Sequence, residues 1–190
     1  MNLIELRNHI DDIKWDDDFM PFYNNASLGM PDDVIDLVIL RYLDNDCKST
    51  YIDFELLMYC AEHNHELAHK FLTLWDGKFD SVDCKHEILL YYKSKSPNGN
   101  LRQLWLLGLC YEVFGFDYAT SAETENASGP SCMVMAFECY KKCADSNFPI
   151  GVLYAFYYCD NPQGYNIVIK NNEALLQKYR RKIIELHLDI

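Results

Sequence analysis

The stretch YCAEHN at residues 59–64 decides the fold, because a similar stretch, YKKCADSN, lies at residues 140–147. Cys60 in the first stretch and Cys143 in the second are 83 positions apart, about twice a repeat of roughly 40 residues. A small residue and then an aromatic residue follow each stretch at matching distances: Ala68 and Phe71 in the first copy, Gly151 and Tyr154 in the second. This spacing indicates an internal repeat.

A second signature lies between the two copies, at residues 107–111, where the sequence reads LGLCY. Its glycine and tyrosine positions recur 47 residues later as Ala155 and Tyr158. A unit of two short helices cannot bury its apolar face alone, so it needs like units on either side. We therefore predict an all-α fold, an α-solenoid of about nine helices stacked as antiparallel helical hairpins. Cys60 and Cys143 should then occupy equivalent buried positions, and Gly108 should lie at a close helix crossing.

We predict that the chain forms one domain, residues 1–190, in three parts. Residues 1–50 form divergent N-terminal helices, residues 51–160 form the repeated hairpins, and residues 161–190 form a C-terminal capping helix. Small polar residues at 117–130 predict the one long loop of the chain. A loop of this length within a compact array is usually functional or mobile.

The charge of the chain is strongly acidic, with a formal net value of -12 at pH 7. Up to Asp46 there are eleven acidic residues against three basic ones, and no basic residue lies between Arg102 and Lys141. Such a field repels phosphate backbones and anionic lipid surfaces, so we expect neither a nucleic acid nor a membrane as partner. It would attract a basic protein.

The eight cysteines lie mostly among apolar neighbours, where a reduced thiol behaves as a small core residue. We predict free thiols, with disulfides in a secreted protein as the alternative. The N-terminus shows no basic region followed by an apolar stretch, and no apolar run approaches the roughly 20 residues that cross a bilayer. These features predict a cytoplasmic location.

Three histidines, His63, His65 and His69, form the densest set of possible metal ligands, and Glu62 and Glu66 lie beside them. His65 and His69 are four positions apart, the spacing at which two helical residues reach one metal ion. The set spans a predicted turn, however, and lacks the Glu-x-x-His context of a zinc protease. We therefore predict no metal site and no cofactor, with a metal at this cluster as the alternative.

The aspartates near the N-terminus are candidates for acid-base chemistry: Asp11, Asp12, Asp16, Asp17 and Asp18. Acid-base catalysis needs a desolvated carboxyl group with a raised pKa, and a polar turn rich in aspartate predicts the opposite. The sequence also lacks a glycine-rich phosphate loop, a Gly-x-Ser-x-Gly motif and a recognisable Cys/His pair. We predict that the protein is not an enzyme, and an enzyme with an unrecognised site is an alternative.

Aromatic and acidic residues lie together in segments that we predict to be irregular. At an interface with a cationic protein, aromatic rings supply the anchoring area and acids raise the rate of encounter. The partner-binding residues that we predict on this basis are Asp16, Asp17, Asp18, Phe19, Phe22, Tyr23, Asp117, Tyr118, Glu123 and Glu125.

Residues 136–147, AFECYKKCADSN, resemble the Sel-like repeat, a relative of the tetratricopeptide repeat. The residues that match the repeat pattern are Ala136, Tyr140, Lys142 and Ala144. The LGLCY stretch gives the leucine, glycine and tyrosine of its second helix, and residues 154–158 give the same pattern with alanine for glycine. The resemblance covers residues 54–179. It implies an adaptor or scaffold for protein partners, without shared active-site residues.

These features lead to one functional hypothesis and two alternatives. We predict a non-enzymatic protein-binding module that docks a basic protein partner on an acidic surface. One concrete form of the hypothesis is an immunity protein that neutralises a cationic toxin domain. The alternatives are a general adaptor or scaffold in an intracellular or host-directed pathway, and an enzyme.

Overall fold

The computed structural model describes residues 1–13, 19–45, 50–74, 82–96, 100–119 and 132–188, and the side chains of residues 82 and 115–119 lie outside this description. Within these ranges the chain forms ten helices and no strand, which confirms the all-α class. The helices are α1 (Leu3–Asp12), α2 (Met20–Ala26), α3 (Pro31–Asp44), α4 (Tyr51–Glu62), α5 (Glu66–Leu74), α6 (Val82–Lys95), α7 (Leu101–Ala119), α8 (Cys132–Asp145), α9 (Pro149–Asp160) and α10 (Asn172–Glu185).

The chain divides into two compact units, the N-terminal unit Met1–Tyr91 and the C-terminal unit Tyr92–Ile190. The division falls inside α6, and the parts predicted at residues 1–50, 51–160 and 161–190 stay a prediction. In the N-terminal unit α2 packs on α1, α3 on α2, α4 on α3 and α5 on α4. In the C-terminal unit α8 packs on α7, α9 on α8 and α10 on α9.

Capping residues explain where two helices of the N-terminal unit begin. Asn2 accepts the backbone N–H of Ile4 and of Glu5, and Glu5 returns a hydrogen bond to the Asn2 backbone, so α1 starts with a capping box. Thr50 and Asp53 form the same arrangement at the start of α4. Each box satisfies amide groups that a helix N-terminus leaves without a partner.

Helix α2 is the element that the sequence analysis missed. Seven residues, with a proline in the first turn, form one short helix whose Phe22, Tyr23 and Ala26 are buried. A helix this short shows two turns of apolar spacing at most, so its pattern does not stand out from an irregular segment. The described helices therefore number ten, against about nine predicted.

The next helix, α3, begins as the sequence predicted, with Pro31 in its first position and Asp32 and Asp33 in its first turn. The end of α7 differs from the prediction. The helix continues through Ala119, so the loop predicted at residues 117–130 does not begin at 117. Residues 120–130 lie outside the described ranges.

The turn between α4 and α5 and the turn between α8 and α9 have the same hydrogen bonds. Asn64 has a φ of 62° and Asn147 a φ of 59°, the left-handed conformation that asparagine tolerates. The residue after each asparagine donates its N–H to the cysteine carbonyl five positions back, over 3.0 Å in both turns. The echoed stretches of sequence therefore fold into one repeated turn.

Cys60 and Cys143 occupy equivalent buried positions, as predicted. Both are fully buried, Cys60 on α4 and Cys143 on α8. The Cys60 thiol donates to the Pro31 carbonyl oxygen over 3.6 Å, and the Cys143 thiol donates to the Leu101 carbonyl oxygen over 3.4 Å. Pro31 and Leu101 are the first residues of α3 and α7. Each cysteine therefore contacts the first residue of the helix that precedes its own helix.

Two glycines let helices of the C-terminal unit approach closely. A Cβ on Gly108 would lie 2.5 Å from the Tyr140 ring of α8, and a Cβ on Gly151 would lie 2.4 Å from the Cys143 Cβ. Real side chains do not sustain contacts this short. The prediction that Gly108 lies at a close helix crossing is confirmed.

Helix α10 is anchored to the end of α8 by two lysines. The Lys178 ammonium lies 2.6 Å from Asp145 Oδ1, and the Lys182 ammonium donates to the Ala144 carbonyl over 2.6 Å. A cation at the C-terminus of a helix satisfies carbonyls that have no partner within that helix. Two of the basic residues of α10 thus hold the C-terminal unit together.

Candidate functional site

Most of the predicted partner-binding residues fall where the structure gives no side chain. Asp117 and Tyr118 lie in the backbone of α7, but their side chains are outside the described part. The acidic residues outside the described ranges are Asp16, Asp17, Asp18, Glu123 and Glu125. Their role in docking stays a prediction.

The prediction that Phe19, Phe22 and Tyr23 form a docking surface is wrong. Their exposed fractions are 7%, 1% and 0%. The physical reason is helix α2, which turns these rings into the core of the N-terminal unit, where Phe19 packs edge-on against Phe22 with 6.4 Å between ring centroids. A ring with no accessible surface cannot anchor a partner.

The structure brings together a different set of acid and aromatic side chains in the C-terminal unit, which we call the Glu112 cluster: Glu112, Tyr140, Tyr158 and Tyr165. The Tyr140 hydroxyl donates to Glu112 Oε2 over 2.7 Å. The Tyr158 ring lies 5.5 Å from the Tyr140 ring, and the Tyr158 hydroxyl donates to Met133 Sδ over 3.5 Å. Helices α7, α8 and α9 each contribute one of these three residues, so the packing of three helices positions the site.

Aromatic rings surround the hydroxyl groups of this cluster. Tyr158 is stacked between two rings: its centroid lies 3.8 Å from that of Tyr165, at an interplanar angle of 11°, and 5.9 Å from that of Phe137, at 18°. On the other side, Tyr140 lies 4.9 Å from Tyr154. The inner rings of Tyr140 and Tyr158 are fully buried, whereas Tyr165 and Glu112 are partly exposed. Solvent therefore reaches the cluster at Glu112 and at the outer residue, Tyr165.

The glycine at the close helix crossing explains how Tyr140 reaches Glu112. Gly108 and Glu112 are four residues apart on α7, so they lie on one face, one turn from each other. Because Gly108 has no side chain, the Tyr140 ring packs directly on the α7 backbone. Its hydroxyl then extends to the next turn, where Glu112 accepts its hydrogen bond.

The electrostatics of the cluster are those of an acid in poorly solvated surroundings. Burial raises the pKa of Glu112, and the hydrogen bond from Tyr140 acts against that rise. Burial, and then the Glu112 charge, raise the pKa of Tyr158 and of Tyr165. Among the residues that the structure describes, none places a cationic group on Glu112. The cluster is therefore a set of oxygen acceptors with a negative charge and no cation of its own.

Sequence reasoning missed this cluster, although one signal was present. Glu112 comes four residues after Gly108, which the sequence had placed on the packing face of its helix. An acid on a packing face needs a partner, because burial of an unpartnered carboxylate is costly. The partner, Tyr140, comes from another helix, so spacing along the chain could not identify it.

A second polar network, in the N-terminal unit, involves one of the predicted histidines. His65 Nε2 lies 2.9 Å from Asp32 Oδ1, and the Tyr91 hydroxyl lies 3.2 Å from both atoms. His65 Nδ1 accepts the backbone N–H of Ala68 over 3.4 Å, in the first turn of α5. His65 thus caps α5 and ties it to the start of α3, so both ring nitrogens have structural partners.

The three histidines considered as metal ligands do not converge. The His63 ring packs against the Tyr59 ring at an interplanar angle of 38°, with 4.2 Å between centroids, and its Nδ1 lies 2.8 Å from the Tyr59 carbonyl oxygen. The described ranges contain no group of three or more His, Cys, Asp or Glu side chains that could hold a metal ion. Whether Cys47 contributes to such a group lies outside these ranges.

The seven cysteines that the structure describes are free thiols, and all but Cys132 are buried. Burial raises the pKa of Cys143 to about 12 and that of Cys139 to about 11. A thiol with so high a pKa is protonated at neutral pH and is a poor nucleophile and a poor metal ligand. These residues fill space between helices.

A buried ion pair lies in the N-terminal unit. Arg41 Nε is 2.6 Å from Asp53 Oδ1, and the Thr50 hydroxyl and backbone N–H each donate to Asp53 Oδ2 over 2.7 Å. A cavity beside Asp53, lined also by Val38, Phe71 and Ile88, has a volume of about 10 Å³. This is room for one water molecule, which is too small for a substrate.

A search for membrane-spanning helices and a comparison with known proteins complete the description. Over the described stretches of the chain, we find no helix with the length and apolar character needed to span a membrane. A comparison with models of protein families, with curated proteins and with solved structures gave no significant match. The function therefore has to be inferred from the residues themselves.

Proposed function

We propose that this protein is a non-enzymatic protein-binding module that docks a basic protein partner, with the Glu112 cluster as its anchoring site. One observation carries the proposal: Glu112 is a partly exposed acid that accepts a hydrogen bond from the buried Tyr140 hydroxyl and has no cation on it among the described residues. The anchoring site thus moves from the predicted segment around residues 16–23 to the C-terminal unit.

Desolvation gives the physical reason for expecting a cation here. A carboxylate taken partly out of water loses solvation, and the loss is offset only by hydrogen bonds or by an opposite charge. Tyr140 supplies one neutral hydrogen bond. A cationic side chain from a partner would supply the opposite charge, and the surrounding rings would exclude water from the pair, as in the anchoring pockets of protein interfaces.

The net charge supports a basic partner. At a formal charge of -12, long-range attraction raises the rate of encounter with a cationic protein. An immunity protein that neutralises a cationic toxin is one form of this proposal, and a general adaptor is the alternative. An acidic inhibitor of modest size suits the first form, because its charge complements a single target.

The proposal includes the repeated architecture and the location that we predicted. Stacking of Sel-like hairpins into an α-solenoid is supported by the shared hydrogen bonds of the turns at Asn64 and Asn147 and by the matching thiol contacts of Cys60 and Cys143. A solenoid presents an extended surface, which suits protein binding. The free thiols suit the reducing conditions of the cytoplasm.

The test uses three versions of the full chain as bait in quantitative affinity capture from the source cell. These are the wild type, Glu112→Gln, and Glu138→Gln as a matched control that removes the same charge from an exposed position on α8. We expect a basic protein that is captured by the wild type and the control and depleted at least about tenfold with Glu112→Gln. Equal capture by all three baits would refute the anchoring role of Glu112, and an acidic partner would refute the proposal as a whole.

Purified partner then allows the acidic N-terminal segment to be tested separately. Reversal of Asp16, Asp17 and Asp18 to lysine should slow association and weaken its dependence on ionic strength, if this segment steers the partner. Glu112→Gln should instead raise the dissociation rate, because it removes a short-range contact. An association rate that is independent of salt for the wild type would contradict docking through charge.

A further inference from the structure

The chemistry of the Glu112 cluster narrows the kind of cation that it accepts. A carboxylate offers about four lone-pair sites, and Tyr140 fills one of them. The phenol groups of Tyr140 and Tyr158 are buried, whereas Glu112 is partly exposed. Glu112 is therefore the acceptor that a cation with several N–H donors would satisfy.

The rings of the cluster add a flat surface. Phe137, Tyr158 and Tyr165 form a stack of three nearly parallel rings, and Tyr165 is the outermost and partly exposed member. Tyr165 stacks on Tyr158, and the Tyr158 ring lies 5.5 Å from Tyr140, which donates to Glu112. An acceptor carboxylate and a partly exposed aromatic ring thus belong to one cluster.

We infer that the Glu112 cluster binds the guanidinium group of an arginine that the basic partner presents. The inference rests on the proposed function, and it names the chemical group that the anchoring site recognises. A guanidinium is planar, so it stacks on a tyrosine face while its parallel N–H groups bond to a carboxylate. One group therefore uses both features of the cluster.

The other cations fit less well. The ammonium group of lysine is compact and strongly hydrated, so its transfer to a site among rings costs more than that of a guanidinium. A quaternary ammonium has no N–H to give to Glu112, although it could rest on a ring. A divalent metal ion prefers several charged oxygen ligands, and the cluster offers one carboxylate.

The inference can be tested without the partner, with methylguanidinium, methylammonium and tetramethylammonium chlorides as probes at constant ionic strength. The reporter is the Met133 methyl signal of protein labelled with ¹³C at the methionine methyl groups, because Met133 Sδ lies 3.5 Å from the Tyr158 hydroxyl. We expect a saturable shift of this signal with methylguanidinium, a dissociation constant about tenfold higher for methylammonium, and no saturable shift with tetramethylammonium.

Two variants locate the probe. Glu112→Gln should weaken methylguanidinium binding at least about tenfold, since it removes the charge and leaves the shape. Tyr165→Leu should weaken it about threefold, since it removes the accessible ring and leaves the carboxylate. Glu138→Gln is the control and should leave binding unchanged. Thermal unfolding of each variant verifies that it is folded.

The outcomes separate this inference from the proposed function. Equal binding of methylguanidinium and methylammonium, stronger binding of tetramethylammonium, or no shift with any probe would overturn the arginine inference. If the partner is nevertheless lost with Glu112→Gln, docking at the cluster stands and only the choice of group is wrong. If methylguanidinium binds at Glu112 but the partner is captured equally by Glu112→Gln, the site is real and the proposed function is wrong.

Discussion

One buried acid, Asp53 in the N-terminal unit, and one partly exposed acid, Glu112 in the C-terminal unit, have opposite surroundings. Asp53 is 1% exposed and bonds to Arg41 and Thr50, so its charge is neutralised within the chain. Glu112 accepts a hydrogen bond from the Tyr140 hydroxyl and has no cation on it among the described residues. The difference teaches how to separate a structural acid from a binding acid: the first brings its own counter-charge, whereas the second leaves that place to another molecule.

The matching thiol contacts of Cys60 and Cys143 make this comparison sharper, because the two units can be aligned on them. Alignment on the turns pairs Asp53 with Ala136 and Leu57 with Tyr140. Alignment on the carbonyls of Pro31 and Leu101 pairs Val38 with Gly108 and Tyr42 with Glu112. The N-terminal unit thus lacks the glycine, the tyrosine and the acid that build the Glu112 cluster.

The largest effect is expected from Asp53→Asn. This change removes the carboxylate that faces Arg41 and weakens the cap of α4, so the free energy of unfolding should fall by about 3 kcal/mol. Urea unfolding measures it. The exposed pair Lys70 and Glu87 is the control, since Glu87→Gln should change stability by less than about 1 kcal/mol. A loss below about 1 kcal/mol for Asp53→Asn would remove the distinction between the two acids.

A smaller loss is expected from Gly108→Val, which copies the residue at the aligned position of the N-terminal unit. The new side chain would collide with the Tyr140 ring, so stability should fall by about 1–3 kcal/mol. Tyr140→Leu introduces the residue of the position aligned with Tyr140, which is Leu57, and leaves space for the new valine side chain. The double variant should therefore lose less stability than the sum of the single variants, by at least about 0.5 kcal/mol in chemical unfolding. Simple additivity would mean that the two positions are not in contact.

A loss of stability of about 1 kcal/mol is expected from His65→Phe. This change gives the turn at Asn64 the residue that follows Asn147 in the matching turn. Phe148 follows Asn147 as His65 follows Asn64, and α9 begins without a side-chain cap. His65→Phe removes the hydrogen bonds to Ala68 and Asp32, so thermal unfolding should occur at a lower temperature. The reverse change, Phe148→His, is the matched control. The new histidine should find no acidic partner equivalent to Asp32, because Arg102 lies at the aligned position. A His65→Phe protein as stable as the wild type would show that the network is not a cap.

The smallest change in stability is expected from Glu112→Gln. A raised pKa means that folding favours the protonated acid, so its contribution is fully present below the unfolded pKa and is lost as the pH rises through the folded pKa. At neutral pH the charge is therefore a burden, and the neutral amide should leave stability within about 0.5 kcal/mol of the wild type or increase it. The comparison of urea unfolding at pH 7 and at pH 4 measures this. A large loss at pH 7 would place Glu112 with Asp53 among the structural acids.

The parts of the fold that the sequence predicted are those fixed by local signals. Pro31 with two aspartates marked the start of α3, and the echoed stretches marked the turns at Asn64 and Asn147. Gly108 was predicted at a close crossing because a glycine within a helix is unfavourable unless a neighbour needs the space.

The parts that the sequence did not predict depend on contacts between distant residues. Phe22 and Tyr23 stand in a short helix whose burial comes from packing, so an acidic neighbourhood in sequence suggested a surface that does not exist. The Glu112 cluster joins residues from positions 112 to 165, and no spacing rule connects them. Local patterns therefore predicted the scaffold, whereas the candidate site required the packing of three helices.

The alkylation rates of the two equivalent thiols, Cys60 and Cys143, also report how often each unit opens locally. Each thiol is sealed at the same place in its unit, so an alkylating reagent reaches it only when that region opens. The two rates of alkylation, read by mass spectrometry of peptides, report the opening of the two units in one sample and without an added label. Equal alkylation rates at every denaturant concentration would mean that the two units open cooperatively. Unequal rates would show which unit opens more readily.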